Sequence, residues 1–295
     1  MTDTVGIFGL GLIGSALAAR LLAAGRPVVG HDPDPARQAA LADLGGRPLS
    51  ADGVWSAAGT VILSVFDTTQ VEAVLSTAPD ASRACVIITS TCDPDRIAAL
   101  PGQCPPEIHL VEAPISGTSR EVAAGGAVFL VGGDAEAVAT AAPVLGLLGR
   151  AWHPMGALGN GSRAKLAINL ILGLNRAALA EGLVFGRLIG LDPTRLLAVA
   201  QDSAAASAVM ATKGPLMVAG DFRPQGRVAQ SAKDFDLILR IAAASGQHLP
   251  GAETYLSLMQ DCMAAGEGDL DNSAVLRAIV RKGEPPAGPI LEGYL

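Results

Sequence analysis

The sequence predicts an α/β domain on a mostly parallel sheet, followed by an all-α domain entered by a long helix. Three observations carry this. Residues 1 to about 150 alternate short apolar β-type runs with helical ones, the pattern of repeated βαβ units. A glycine triplet, Gly9-Leu10-Gly11-Leu12-Ile13-Gly14, stands between the first apolar run and the first helical one. Beyond Gly161 strand signals nearly vanish. The expected domains are 1–157 and 158–295.

The elements follow in order. Val5 to Phe8 is an apolar run of strand length, and Leu12 to Ala24 is helical in composition and stops at Gly25. Val28 to Gly30, Thr60 to Phe66, Cys85 to Thr89 and Val128 to Val131 are further strands. Val61 to Val65 is nearly continuous in apolar residues, as befits a strand buried on both faces. Arg163 to Ile189 reads as one helix ending near Gly190, with Asp192-Pro193 opening the next. Thr194 to Gln201, Lys233 to Ser245, Ala252 to Ala265 and Ser273 to Val280 are also helical, and Gly220 to Gly226 is a turn-rich loop.

Half of the 295 residues are hydrophobic but only 3% are aromatic, so the core is built from Ala, Val, Leu and Ile. The formal net charge is −7 without a basic block, which disfavours nucleic acid and anionic membrane as partners. Cys85, Cys92, Cys104 and Cys262 show neither CxxC nor Cys/His ligand spacing. No metal site or disulfide framework is expected, and a reducing, cytoplasmic setting fits. The N-terminus reads as a strand rather than a signal core. No uncharged apolar run reaches the roughly 18 residues of a membrane span; Leu166 to Leu174 is broken by Asn169 and cut off by Arg176.

Gly9, Gly11 and Gly14 form G-x-G-x-x-G after a strand and at the start of a helix, the context of a dinucleotide-binding turn. Leu10, Leu12 and Ile13 complete the loop, whose amides would meet the pyrophosphate. Asp32 lies eighteen residues past Gly14, near the spacing of a carboxylate that holds the ribose 2′-hydroxyl. It would repel a 2′-phosphate, so NAD is favoured. NADP stays possible because Arg37 is close in sequence. Ser64 and Val65 end one strand, and Ser90-Thr91 follow another; both could line the nicotinamide half.

Three later segments carry chemistry. Glu112-Ala-Pro-Ile-Ser116-Gly117-Thr118 is a strand end running into a polar turn. Gly159-Asn-Gly-Ser-Arg-Ala-Lys165-Leu-Ala-Ile-Asn169 places a lysine and an asparagine four apart, on one face of an otherwise apolar helix. Desolvation there would lower the amine's pKa toward the range of proton exchange. Lys233-Asp234-Phe-Asp236 begins a late helix and, alone, reads as a solvated face.

In order and spacing, these four segments resemble the β-hydroxyacid dehydrogenase family over nearly the whole chain, from Gly9 to about Arg281. The resemblance implies a Rossmann-like domain, then a long helix leading into an all-helical domain that also builds the subunit interface, in a homodimer or homotetramer. It implies that Lys165 is the catalytic lysine and that Asn169, Ser116 and Gly117 bind substrate, with Thr118 in the pocket wall. Lys233 would lie near substrate and nicotinamide, and Thr91 would contact the cofactor. The chain departs from the family pattern at Thr118, often a second glycine, at Ile168, often an asparagine, and at Glu112, usually Asp.

The implied reaction is hydride transfer between a nicotinamide and a small molecule, a short β-hydroxy acid or its semialdehyde, with Lys165 as general acid/base. Imine or other carbonyl reduction on the same fold, or nucleotide binding without turnover, are the alternatives. The retained lysine argues against imine reductases, which generally lack it.

Overall fold

The computed structural model describes residues 4–283. It divides into two compact units, Met1–Leu166 and the chain from Ala167 onward. Residues 284–295, which the sequence assigns to the second domain, lie outside the described residues.

In the first unit the strands are β1 (Val5–Phe8), β2 (Val28–His31), β3 (Arg47–Pro48), β4 (Thr60–Leu63), β5 (Cys85–Ile88), β6 (His109–Glu112), β7 (Ile115–Ser116), β8 (Val128–Gly132) and β9 (Ala151–Gly156). The helices between them are α1 (Leu12–Ala23), α2 (Pro35–Asp43), α3 (Ala51–Ala57), α4 (Thr68–Leu75), α5 (Pro94–Ala99), α6 (Ser119–Ala123) and α7 (Ala135–Leu148). The sheet order is β3-β2-β1-β4-β5-β6-β8-β7, with β9 paired to β8. Pairs from β3 through β6 are parallel; β6–β8 and β7–β8 are antiparallel.

The strand order reverses between β1 and β4, where an open α/β sheet leaves a crevice at the carboxyl ends of its strands. Phe8 pairs with Leu63 in register there, so the glycine loop after β1 lies beside Ser64 after β4. Every residue of β1 and β5 is buried, as both faces of the sheet are covered. Leu17, Leu21, Phe129 and Leu145 fill one face, and Val54, Trp55, Val71 and Ile97 fill the other.

α8 (Asn160–Leu188) begins in the first unit and carries the chain into the second. Its 29 residues span about 43 Å at ~1.5 Å per residue. By length and composition alone it could cross a membrane, despite its interrupting charges; one-third of its most apolar stretch is buried within the protein. The second unit continues with α9 (Pro193–Asp202), α10 (Ala208–Ala219), α11 (Val228–Ala244), α12 (Pro250–Ala264) and α13 (Val275–Lys282). It has no strand among the described residues.

The fold class expected from the sequence is the one observed. Differences lie in the details. α8 starts three residues early, α10 carries no expected counterpart, and α11 begins at Val228, so Lys233 sits in its second turn instead of at its start. Asp234, in the same turn, is 5% exposed, which removes the reading of this segment as a solvated face. Phe235 explains the burial: its ring packs against Tyr255 of α12 with centroids 4.3 Å apart and draws that side of α11 inward.

Candidate active site

The glycine loop divides its labour by packing. Gly9 has φ +85°, and a Cβ there would lie 2.4 Å from the Ser64 carbonyl oxygen. A Cβ on Gly14 would lie 1.8 Å from the carbonyl oxygen of Gly9. Both positions therefore need glycine for the protein's own backbone. Around Gly11 the nearest atom to such a Cβ is Arg37 Nη1 at 3.9 Å, so this side of the loop is open. No side chain caps the N-terminus of α1, and no acid stands in its first turn. An open glycine beside an uncapped helix N-terminus fits a pyrophosphate.

Asp32 follows β2 and is 2% exposed. Its Oδ2 accepts from the Leu10 amide at 2.8 Å and its Oδ1 from the Asp34 amide at 2.9 Å. Arg37 Nη1 adds a bond to Oδ2 at 3.3 Å. Asp32 thus fixes the glycine loop to the end of β2, and the half-exposed Arg37 guanidinium partly offsets its charge. At the neighbouring strand ends, Ser90 Oγ accepts from the Val65 amide at 3.0 Å and donates to the Val65 carbonyl at 2.7 Å. That link holds the segment after β4 against the one after β5. Thr91 is buried beside it.

The polar turn after β6 is short. Ser116 ends β7, which pairs with β8, and Gly117 has φ +151°. The Thr118 amide donates to Glu121 Oε2 at 2.6 Å while Thr118 Oγ1 accepts from the Glu121 amide at 3.3 Å. This capping box starts α6. Thr118 therefore already has a structural task.

Glu112, the last residue of β6, is 1% exposed. Its Oε1 accepts from the Gly161 amide at 2.9 Å, and its Oε2 accepts from the Ser162 amide at 2.9 Å and Ser162 Oγ at 2.6 Å. Burial pushes its carboxyl above the usual carboxylate range, and the bonds from Ser162 and Gly161 oppose that push. Lys165 lies one turn further along α8 and is 8% exposed.

In the second unit, Asn169 Nδ2 donates to Asp234 Oδ2 at 2.8 Å, and Lys233 Nζ lies 3.1 Å from Asp234 Oδ1. One carboxylate thus holds the two polar residues that the sequence singles out here. Sequence reasoning named Asp234 only as the neighbour of Lys233. Its signal was the Lys-Asp pair itself; what was missing was the 65-residue link to Asn169. Elsewhere, burial pushes the thiols of Cys85 and Cys262 up to about 12, which leaves both as inert core groups.

The chain is similar to known proteins over nearly its whole length. Residues 4–156 match the NAD-binding domain of 6-phosphogluconate dehydrogenase. Residues 159–279 match the family described as NAD-binding of NADP-dependent 3-hydroxyisobutyrate dehydrogenase. The chain is 31% identical to the L-threonate dehydrogenase of Cupriavidus necator, over 94% of this chain and 96% of that protein. It is 29% identical to the 2-hydroxy-3-oxopropionate reductase of Escherichia coli, over 93% and 96%. Among solved structures, 3-hydroxyisobutyrate dehydrogenase from Salmonella typhimurium superposes with a TM-score of 0.83 at 27% identity, covering 93% of this chain and 99% of that one.

Proposed function

The chain belongs to the β-hydroxyacid dehydrogenase family, a nicotinamide-dependent oxidoreductase acting on CH–OH groups, and from that premise we propose that it interconverts a short β-hydroxy acid and its semialdehyde, with Lys165 as general acid/base. The observation that carries this reading is the buried Lys165 on α8, with Asn169 one turn further on the same face. The names of the relatives point to small carboxylic acids such as threonate and 3-hydroxyisobutyrate.

A bound nicotinamide would supply the hydride chemistry in either direction. The chain's own residues handle the proton and the orientation. In oxidation Lys165 Nζ takes the hydroxyl proton; in reduction it returns one to the forming alkoxide. Positioned acid–base catalysis of this kind contributes about 10²–10⁴-fold. Asn169, held by Asp234, and the Ser116-Gly117 turn with Thr118 orient the substrate carboxylate and hydroxyl. Lys233, paired with Asp234, would serve the substrate and the nicotinamide.

Gly9, Leu10, Gly11, Leu12, Ile13 and Gly14 would hold the pyrophosphate, and Ser64, Val65 and Thr91 would line the nicotinamide half. NAD is the preferred cofactor because the Asp32 carboxylate would repel a 2′-phosphate. Arg37, paired with it, gives NADP a weaker second route. A reducing compartment such as the cytoplasm suits four free thiols. Phe185, Leu188, Ile189 and Leu191 are 41–63% exposed at and just past the end of α8, an apolar surface that suits a homodimer or homotetramer.

The test follows reduced nicotinamide spectrophotometrically, with NAD and NADP, against 3-hydroxyisobutyrate, serine, glycerate and threonate, beside a cyclic imine. Turnover of a hydroxy acid that Lys165→Ala abolishes, with cofactor still bound, is the expected result. Turnover of the imine alone, or an active Lys165→Ala, overturns the proposal.

A further inference from the structure

Glu112 stands where a strand end meets a helix start. The amides of Gly161 and Ser162 belong to the first turn of α8, where the helix offers them no carbonyl partner. Helix N-termini are usually satisfied by a side chain at the cap itself. Here a carboxylate 49 and 50 residues earlier in the chain takes both amides and the Ser162 hydroxyl. Its negative charge also lies at the positive end of the helix dipole.

The surroundings are shaped for this carboxylate. A Cβ on Gly132 would lie 2.4 Å from Glu112 Oε1. A Cβ on Gly161 would lie 2.5 Å from the Leu130 carbonyl oxygen and 3.1 Å from Glu112 Cδ. Two glycines therefore clear the space that the acid fills. Gly159, with φ +94° and no room for a Cβ against the Pro94 carbonyl, turns the chain into the helix immediately before.

The two segments joined are those that matter for the chemistry. Glu112 is followed directly by the turn that carries Ser116 and Gly117, and Ser162 precedes Lys165 by three residues on the same helical face. We propose that Glu112 is a positioning residue for Lys165: through Gly161 and Ser162 it fixes the height and rotation of the first turn of α8 against the end of β6. It touches neither substrate nor cofactor. This inference rests on the reading of Lys165 given above. A misplacement of about 1 Å in a proton-transfer group costs on the order of 100-fold in rate. A looser anchor should therefore show in kcat more than in binding.

The experiment uses the full-length protein and the hydroxy acid turned over fastest in the screen. Variants Glu112→Gln, Glu112→Asp and Ser162→Ala are compared for kcat, KM, cofactor Kd by fluorescence and hydrogen exchange of the first turn of α8. Glu112→Gln keeps the shape but turns an NH2 toward an amide donor. It is expected to lower kcat about 10- to 100-fold, with KM and cofactor Kd within about threefold and faster exchange confined to that turn. Glu112→Asp keeps the charge on an arm shorter by about 1.5 Å and should recover part of the loss. Ser162→Ala should lose about three- to tenfold in kcat through the same turn.

Wild-type kcat in Glu112→Gln overturns the proposal. So does a loss in which kcat, KM and cofactor Kd worsen together, because that marks general loosening. Should Glu112→Gln not fold, Ser162→Ala decides by the same criteria. If Lys165→Ala keeps its turnover, the reading of Lys165 fails and takes this inference with it. If Lys165→Ala is dead and the Glu112 and Ser162 variants are not, only the positioning role falls.

Discussion

Asn169 and Asp234, 65 residues apart, meet side chain to side chain at 2.8 Å inside the helical unit, and the same carboxylate pairs with Lys233. A buried acid between two polar side chains fixes which atoms each has left to offer. Asn169 spends an N–H on Asp234 and keeps its carbonyl oxygen and a second N–H. Asp234→Ala is expected to lower kcat/KM by about 10- to 100-fold and raise KM, because Asn169 and Lys233 lose their common anchor. Steady-state kinetics of Asp234→Ala beside Asp234→Asn checks this. The asparagine variant should retain more activity, since its carbonyl can still accept from Asn169.

The two kinds of glycine in the nucleotide loop should separate under substitution. Gly14→Ala forces a methyl into the Gly9 carbonyl and is expected to lower the thermal midpoint as well as abolish cofactor binding. Gly11→Ala meets open space and should fold with an unchanged midpoint, yet weaken NAD binding at least about tenfold by blocking the pyrophosphate. Thermal melts paired with fluorescence titration read both outcomes.

At the end of β2, Arg37→Ala should raise the NAD-over-NADP preference about tenfold, since it removes the cation beside Asp32. Asp32→Ala should weaken both cofactors and lower stability, because the amides of Leu10 and Asp34 lose their acceptor. Comparing kcat/KM for the two cofactors in each variant is the measurement.

Stability should depend on pH through a pair remote from these residues. Lys213 Nζ lies 2.8 Å from Asp271 Oδ2, with Lys213 and Asp271 both buried. Burial alone would raise the Asp271 pKa, but the Lys213 ammonium and the amides of Ser273 and Gln225 outweigh it and hold the carboxyl below its usual range. A carboxyl depressed in the folded state stabilises above its unfolded pKa, and that contribution is lost as pH falls through the folded one. Denaturant melts from pH 7 down to pH 3 should show this loss, and Asp271→Asn should flatten it. At pH 7 that variant should be about 3–5 kcal/mol less stable, as it removes the counter-charge of a buried ammonium.

Periodicity and glycine spacing made the layered first unit and the long helix legible, because both depend on contacts near in sequence. The strand-loop-helix around Gly9 to Gly14 was readable for the same reason. The two-residue β7 was not: Ile115-Ser116 is too short for any alternation to register, and only pairing with β8 makes it a strand. Lys165 and Asn169 announced themselves as polar residues on an apolar helix. Glu112 and Asp234 did not, because their partners lie 49 to 65 residues away and no local pattern encodes such a link. Thr118, read from sequence as part of a pocket wall, is also committed to a capping box whose partner, Glu121, stood three residues on.

The Glu112 anchor sets a rule for building chimaeras. A designer who moves the Lys165 helix onto another dehydrogenase sheet moves only half a joint. The other half is an acid of the right length at the end of β6 and a bare backbone at Gly132, with Gly161 and Ser162 on the incoming side. A recipient strand ending in aspartate would fall one methylene short, and any side chain at position 132 would fill the socket. Crossovers between homologues should therefore keep these four positions from the same parent.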